Sequence, residues 1–131
     1  MNPVRAAILA GGTLNSLLGL FHVFLCGQIF QAYGSKPFYP LLEMMSIGGT
    51  LLIFFLAFTS LFCPAALVET RIGRSVVLLN ISVYLARTLG EFILFPKPSG
   101  VIIGLCAFLT LLYAYIYFCG RSGSATHLTA L

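Results

Sequence analysis

Charged side chains are scarce in this sequence, and their scarcity is the first constraint on what the protein can be. Only 8% of the 131 residues are charged, with three acids and seven bases, whereas a soluble domain carries roughly 25%. So few charges cannot cover the surface of a chain that is 60% hydrophobic. The composition therefore excludes an ordinary water-soluble domain and predicts a protein whose main solvent is lipid.

Three other signals are missing as well. The bases form no cluster of the kind that binds nucleic acid, so no nucleic-acid partner is predicted despite a pI near 9.1. The four cysteines show no C-x-x-C spacing, so we predict no metal site and packed, reduced thiols, with a disulfide or acylation as the alternative. No A-x-A motif follows the first apolar stretch, and the stretch is too long for a signal-peptide core. We therefore expect this stretch to be a spanning helix.

Four apolar segments are long enough to cross a bilayer. A helix rises 1.5 Å per residue, so about 30 Å of hydrocarbon takes roughly 20 apolar residues. Turn-forming sequences such as PKPSG separate the segments, which cover 6–30, 41–62, 73–95 and 99–119. Because a helix satisfies its own backbone hydrogen bonds in lipid, the segments are predicted to be helices. The short linkers predict an all-α, integral membrane, antiparallel four-helix bundle.

The bundle is expected to form a single domain over 1–119, followed by a polar C-terminal tail over 120–131. The flanking bases predict its orientation through the positive-inside rule. Four arginines fall on one predicted side of the membrane and two lysines on the other: Arg5, Arg71, Arg74 and Arg121 against Lys36 and Lys97. This distribution places both termini in the cytoplasm.

Small residues recur at helix-packing spacing in three of the four segments. Such stripes allow helix backbones to approach closely where lipid gives no hydrophobic drive for association. We expect them to pack inside the bundle rather than between two copies of it. The stripes are Gly11–Asn15–Gly19, Ser82–Ala86–Gly90 and the G-x-x-x-G pair Gly100–Gly104.

Polar residues inside two segments also fall on single helix faces. The third segment has its polar residues at i, i+4, i+7 and i+11, and the first segment repeats this spacing. The two stripes are Asn80–Tyr84–Arg87–Glu91 and Asn15–Gly19–His22–Cys26. Both segments run in the same direction, so Asn15 should lie at the depth of Asn80, and His22 at the depth of Arg87. The Leu-Asn pairs at 14–15 and 79–80 give a weak hint of a duplicated helical hairpin.

Glu43 opens the second segment at about the level of Glu91, which suggests a polar cluster in the outer half of the bundle. A lone charge in mid-bilayer costs at least roughly 2.5–3.5 kcal/mol, and a guanidinium cannot lose its charge there. The ligand-binding candidates are therefore His22, Glu43, Tyr84, Arg87 and Glu91, while Asn15 and Asn80 are assigned a structural role. Glu43 is expected to accept further hydrogen bonds from Arg87. Three explanations stay open: a register-fixing ion pair, a site for a head group or protons, and contact with partner helices.

The stretch ETRIGRSVVLLNISVYLARTLGEFILFP at 69–96, the Gly48–Gly49 pair and the four-helix layout resemble the small four-helix bacterial membrane proteins of the DoxX-like group. The resemblance implies a multi-pass protein of the bacterial inner membrane. It also implies, for some members, an association with quinone or sulfur redox chemistry. It assigns no role to any individual residue.

The leading functional hypothesis is an accessory or scaffold subunit, or a binding protein, that holds a lipid- or quinone-like ligand at the polar cluster. Its partners would be membrane lipids and either other membrane subunits or further copies of this chain. One alternative is a membrane enzyme that uses His22 and a glutamate as acid and base, although no motif assigns a catalytic residue. A second is a dimeric proton-coupled transporter that uses Glu91. A haem with two histidine ligands from one chain is disfavoured, because His127 lies in the tail, far from His22.

Overall fold

The computed structural model describes residues 2–128, and the side chains of residues 2–120. This part of the chain is helical and contains no strand. Its five helices are α1 (Pro3–Tyr33), α2 (Tyr39–Phe62), α3 (Pro64–Glu69), α4 (Arg71–Leu94) and α5 (Gly100–Leu128). Four of them, with α5 taken as far as Gly120, are long and apolar enough to span a membrane. The prediction of an all-α chain with four helices able to cross a membrane is therefore confirmed.

Local sequence signals set the helix ends close to the predicted positions. The Asn2 side chain accepts a hydrogen bond from the Val4 amide (3.0 Å), ahead of a proline at the first position of α1. Thr70 caps α4 in the same way through the Gly73 amide (2.8 Å). α4 ends where Phe95 adopts an extended backbone before Pro96. α5 continues beyond position 119 as far as Leu128, and residues 129–131 of the predicted tail lie outside the described part of the chain.

The linker at 63–73 contains a short helix that the turn-rich sequence did not predict. Pro64 opens α3, and Leu67 is buried at 2% exposure against the core. α4 begins so close to α3 that a Cβ atom on Gly73 would lie 1.9 Å from the Ala66 carbonyl oxygen. Glycine is therefore required at position 73 by the close approach of two backbones.

The four spans form two helical hairpins. α1 packs on α2 and α4 packs on α5, and the hairpins meet mainly along α1 and α5, while α3 lies against α4 and α5. Most of the core is apolar, with exposures of 0–1% at Ile8, Leu56, Val77, Leu109 and Ile116. Large apolar side chains cover the outside of every span, which fits a lipid environment.

Glycines on α1 bring the helices into close contact, as predicted for the first small-residue stripe. A Cβ on Gly11 would lie 2.9 Å from the Tyr113 hydroxyl, and one on Gly19 would lie 2.9 Å from the Phe54 ring. Gly12, next to this stripe, approaches Ser60 and Leu61 equally closely.

The same expectation is wrong for the stripes on α4 and α5. Ser82 and Ala86 are exposed, and a Cβ on Gly100 or Gly104 would meet no described atom within 4 Å. Larger side chains fill the contact between α4 and α5 instead, because residues such as Val77, Tyr84, Cys106, Leu109 and Tyr113 form the core there. These small residues therefore lie on the outside of the bundle.

The contact at Gly73 gives a direct test of the packing of α3 on α4. Replacing a helical glycine by alanine normally stabilises a helix by about 1 kcal/mol. At Gly73 the new methyl group would force two backbones apart, so we expect Gly73→Ala to destabilise the protein by about 1–3 kcal/mol. Circular dichroism during thermal unfolding in detergent measures the effect. Gly104→Ala, in open space, is the matched control, and equal melting temperatures for the two variants would contradict the packing.

Candidate functional site

A hydrogen-bonded group of five buried side chains joins all four spans near the middle of the bundle. We call it the central network: Asn15 on α1, Ser60 on α2, Asn80 and Tyr84 on α4, and Tyr113 on α5. None of them is more than 3% exposed. The Asn15 amide nitrogen donates to Asn80 Oδ1 (3.1 Å) and to the Tyr113 hydroxyl (3.0 Å). The Tyr84 hydroxyl donates to Asn15 Oδ1 (2.5 Å). Asn15 thus connects α1 to α4 and α5.

The remaining bonds of the central network give each of its side chains a partner within the protein. Ser60 donates to the Leu56 carbonyl (2.9 Å), so the Tyr113 hydroxyl donates to Ser60 Oγ (2.9 Å). Asn80 donates to the Val76 carbonyl (3.1 Å). No buried side-chain nitrogen or oxygen in the described part of the chain lacks a partner. A buried network whose polar atoms are all partnered within the protein fits the structural role predicted for Asn15 and Asn80.

Arg87 and Glu91 form an ion pair at the end of the α4–α5 hairpin. Arg87 Nη1 lies 2.5 Å from Glu91 Oε2. The other carboxylate oxygen, Oε1, accepts the backbone N–H of Ser99 (3.0 Å), directly before α5 begins. The Glu91 side chain is only 4% exposed, whereas that of Arg87 is 42% exposed. Glu91 therefore ties α4 to the start of α5 and neutralises part of the arginine charge.

His22 belongs to a second polar group, between α1 and α2. Thr50 donates its hydroxyl proton to the Ser46 carbonyl (2.8 Å), so the short contact from His22 Nδ1 to Thr50 Oγ1 (2.7 Å) needs the proton on Nδ1. That tautomer leaves His22 Nε2 as an acceptor. Cys26 follows one turn later, with its sulfur 3.9 Å from His22 Nδ1 and in contact with Ser46 Oγ.

Next to this group lies a cavity of about 280 Å³ between α1 and α2, which we call the α1–α2 cleft. Tyr39, Cys26, Ser46 and the Glu43 carboxylate provide its polar lining, and its walls include Phe30 and Ile47. Glu43 is exposed, and so are Phe30 (60%) and Ile47 (51%) at the rim. The cleft is thus open to a molecule that arrives through the membrane.

The five predicted ligand-binding candidates fall into three separate places. Tyr84 belongs to the central network, where its hydroxyl is already bonded. Arg87 and Glu91 close the α4–α5 hairpin. Glu43 lines the α1–α2 cleft, and His22 is linked to the cleft through Cys26. The expectation that Arg87 binds Glu43 is wrong, because no ion pair joins them among residues 2–120.

Sequence reasoning missed two partners of His22. Ser46 and Thr50 hold the ring and the neighbouring thiol from across the hairpin. Their spacing of four residues matches that of His22 and Cys26, which was the signal available in the sequence. Depth alone matched His22 with Arg87 on α4, so the contact of His22 with α2 was missed.

The two hairpins carry different polar groups at matching positions. A shift of 65 residues takes His22 to Arg87 and Cys26 to Glu91. The same shift takes Asn15 to Asn80, and these two side chains touch at the centre of the bundle. At the equivalent level, the α4–α5 hairpin carries the Arg87–Glu91 ion pair, and the α1–α2 hairpin borders an open cleft at Cys26.

No family model, curated protein or solved structure matches this chain. The resemblance to DoxX-like proteins therefore stays a prediction that rests on the short motifs of 69–96 and on the helix layout.

The connections of Asn15 predict that it contributes more to stability than its size suggests. Asn15→Ala would leave Asn80, Tyr84 and Tyr113 short of partners in the core, and one unsatisfied buried group costs about 1–3 kcal/mol. We expect a clearly lower melting temperature in detergent, followed by circular dichroism because the chain has no tryptophan.

Ser16→Ala is the matched control for this variant. Ser16 lies beside Asn15, but its hydroxyl bonds only to the Gly12 carbonyl of its own helix (3.0 Å). If Asn15→Ala and Ser16→Ala had the same melting temperature, the central network would not be what holds the two hairpins together.

Proposed function

We propose that this protein is a small membrane binding protein, acting as an accessory or scaffold subunit, that holds a lipid-soluble molecule in the α1–α2 cleft. The observation that carries the proposal is the cleft itself. It combines a carboxylate, two hydroxyls and a thiol with apolar walls, between two helices whose other sides expose large apolar side chains. Apolar pockets with a few converging polar groups are the usual form of small-molecule sites.

The polar lining favours a particular kind of head group. An ionised carboxylate only accepts hydrogen bonds, so Glu43 calls for a donor on the ligand. Tyr39, Ser46 and Cys26 can each donate or accept. A hydroxylated ring such as that of a quinol fits this set, whereas an anionic head group would be repelled by Glu43. A volume of about 280 Å³ holds a head group or ring of this size, and an attached tail would lie against Phe30 and Ile47 at the rim.

The location of the cleft agrees with a ligand taken from the membrane. It lies near the α1–α2 loop, which carries Lys36, at the end of the bundle that the arginine distribution predicts to be periplasmic. With both termini in the cytoplasm of a bacterial cell, the site would open into the outer leaflet of the inner membrane. The resemblance to DoxX-like proteins supports the same placement and a quinone-type ligand.

The alternatives receive unequal support. A proton-coupled transporter would need a carboxylate free to exchange protons, but Glu91 accepts hydrogen bonds from both Arg87 and Ser99. An enzymatic role keeps one favourable observation, because the tautomer of His22 leaves Nε2 as an acceptor one turn from the Cys26 thiol. Turnover of a bound quinol that is lost in His22→Ala would move the function from binding to catalysis.

Removing the carboxylate of the cleft tests the proposal. We expect Glu43→Gln to weaken the binding of a short-chain quinol at least tenfold, a change of about 1.4 kcal/mol, because the amide loses the charge-assisted hydrogen bond. Calorimetric titration of the protein in lipid nanodiscs measures the affinity. Glu69→Gln is the matched control, since Glu69 is an exposed acid on α3.

A second variant blocks the cleft by volume rather than by charge. Gly27 lines the cleft, and a Cβ there would meet no described atom within 4 Å. Gly27→Leu should therefore fill the cleft and abolish binding without loss of stability, whereas Gly104→Leu should leave binding intact. Unchanged quinol affinity in both Gly27→Leu and Glu43→Gln would rule the cleft out as the site.

A further inference from the structure

The two hairpins separate toward the end of the bundle that carries the α1–α2 and α4–α5 loops. Beyond the central network, α1 has no buried residue after Gly19, and α5 has none before Cys106. α2 has none between Tyr39 and Leu56. Tyr39 and Glu91 are buried nearer the loops, but their aromatic and polar contacts lie within their own hairpins. A closed bundle would bury the facing side chains at every level, so an opening lies between the hairpins at this end.

His22 and Arg87 lie on the two sides of this opening. Each follows an asparagine of the central network by seven residues, or about two helical turns, and therefore shares its helix face: Asn15 for His22, and Asn80 for Arg87. The two asparagines touch at 3.1 Å, so these faces point toward each other. His22 is nevertheless only partly buried, and the Arg87 side chain is 42% exposed. We call the space between them the inter-hairpin opening.

The His22 ring carries an unused hydrogen-bond acceptor. Its Nδ1–H is donated to Thr50, so Nε2 bears a lone pair. Nε2 lies beside Gly49, where an added Cβ would be 3.9 Å away, and Gly49 shares a face of α2 with the fully buried Leu56. Nε2 has no partner among residues 2–120, although every buried side-chain nitrogen and oxygen there has one. Nε2 is therefore accessible through the opening.

Arg87 carries unused donors at the same depth. A guanidinium has five N–H groups, but Arg87 makes one side-chain hydrogen bond within residues 2–120, from Nη1 to Glu91. The other carboxylate oxygen of Glu91 is taken by the Ser99 amide. The ion pair is electrically neutral, yet most of the arginine donors lack an acceptor. Unpaired polar groups are costly away from water, so these donors favour a ligand that accepts hydrogen bonds.

We propose that the inter-hairpin opening binds the carboxyl group of a long-chain carboxylic acid that enters from the membrane. The carbonyl oxygen would accept from Arg87, and the acid O–H would donate to His22 Nε2. A carboxyl group is suited to this pair because it has an acceptor and a donor on one carbon, whereas a phosphodiester has only acceptors. Since the Arg87–Glu91 pair has no net charge, the occupied site is neutral whether the proton stays on the acid or moves to His22.

The opening is a different site from the α1–α2 cleft. His22 Nε2 and Arg87 face it from α1 and α4, whereas the cleft lies between α1 and α2 and contains Glu43. The Glu43 carboxylate would repel an acid, so the two sites select different ligands. The proposal therefore does not depend on whether a quinol occupies the cleft.

A binding assay with tritiated palmitic acid tests the proposal on the whole protein in lipid nanodiscs, read by scintillation proximity. We expect saturable binding that unlabelled palmitic acid displaces. Methyl palmitate should displace the label at least about tenfold less well, because an ester has no O–H to donate to His22 and cannot bind Arg87 as a carboxylate. This comparison uses the unmodified chain and does not depend on the folding of any variant.

Variants then locate the bound acid. His22→Phe keeps a ring but removes the acceptor, and Arg87→Lys keeps a charge for Glu91 but removes the planar fork. Each should weaken palmitic acid binding at least about tenfold, since hydrogen bonds to charged groups are the stronger ones. Glu43→Gln, which removes the carboxylate of the cleft, should leave this binding unchanged. Circular dichroism in detergent checks that the variants keep the helical fold.

Three results would overturn the proposal. The first is the absence of saturable binding, or equal displacement by palmitic acid and methyl palmitate. The second is full affinity in both His22→Phe and Arg87→Lys. The third is a loss in Glu43→Gln as large as in those two variants, which would place the acid in the cleft.

Discussion

The architecture depends on the hydrogen bonds that the Asn15 side chain makes in the middle of an apolar bundle. One amide bonds to Asn80, Tyr84 and Tyr113 from the opposite hairpin, and Tyr113 extends the connection to Ser60 on α2. Hydrocarbon offers no competing partner for these groups, so the hairpins come together in the register that satisfies them. Close approach of α1 to α5 at Gly11 is what brings Tyr113 within reach.

The side chains of the central network are bonded to one another, and the polar groups nearer the loops make no recorded hydrogen bond to them. In the α4–α5 hairpin the carboxylate of Glu91 is occupied by Arg87 and by the start of α5. In the α1–α2 hairpin the matching positions carry His22 and Cys26, and a cleft lies beside Cys26 and Glu43. The two hairpins thus carry different polar groups at equivalent positions.

Much of this could be predicted from the sequence, because lipid imposes strong rules. Segment length and turn residues located all four spans, and the i, i+4, i+7 spacing placed Asn15 and Asn80 on facing sides at one depth. Contacts between helices that are not consecutive could not be predicted in the same way. Glu43 was expected beside Arg87 because the two lie at similar depth in the membrane. In the fold α2 packs on α1, and Glu43 lines the same cleft as Cys26. The glycines of α5 matched a packing motif, yet bulky neighbours such as Leu109 and Tyr113 already filled the contact with α4.

The central functional claim is that a lipid-soluble molecule occupies the α1–α2 cleft. Photo-crosslinking in native membranes with a photoreactive quinone, followed by peptide mapping, tests it most directly. The account predicts labels concentrated between Cys26 and Ile47, and their loss when an excess of unmodified quinone competes. Labels spread evenly over all four spans, or concentrated on α4 and α5 and insensitive to competition, would contradict it.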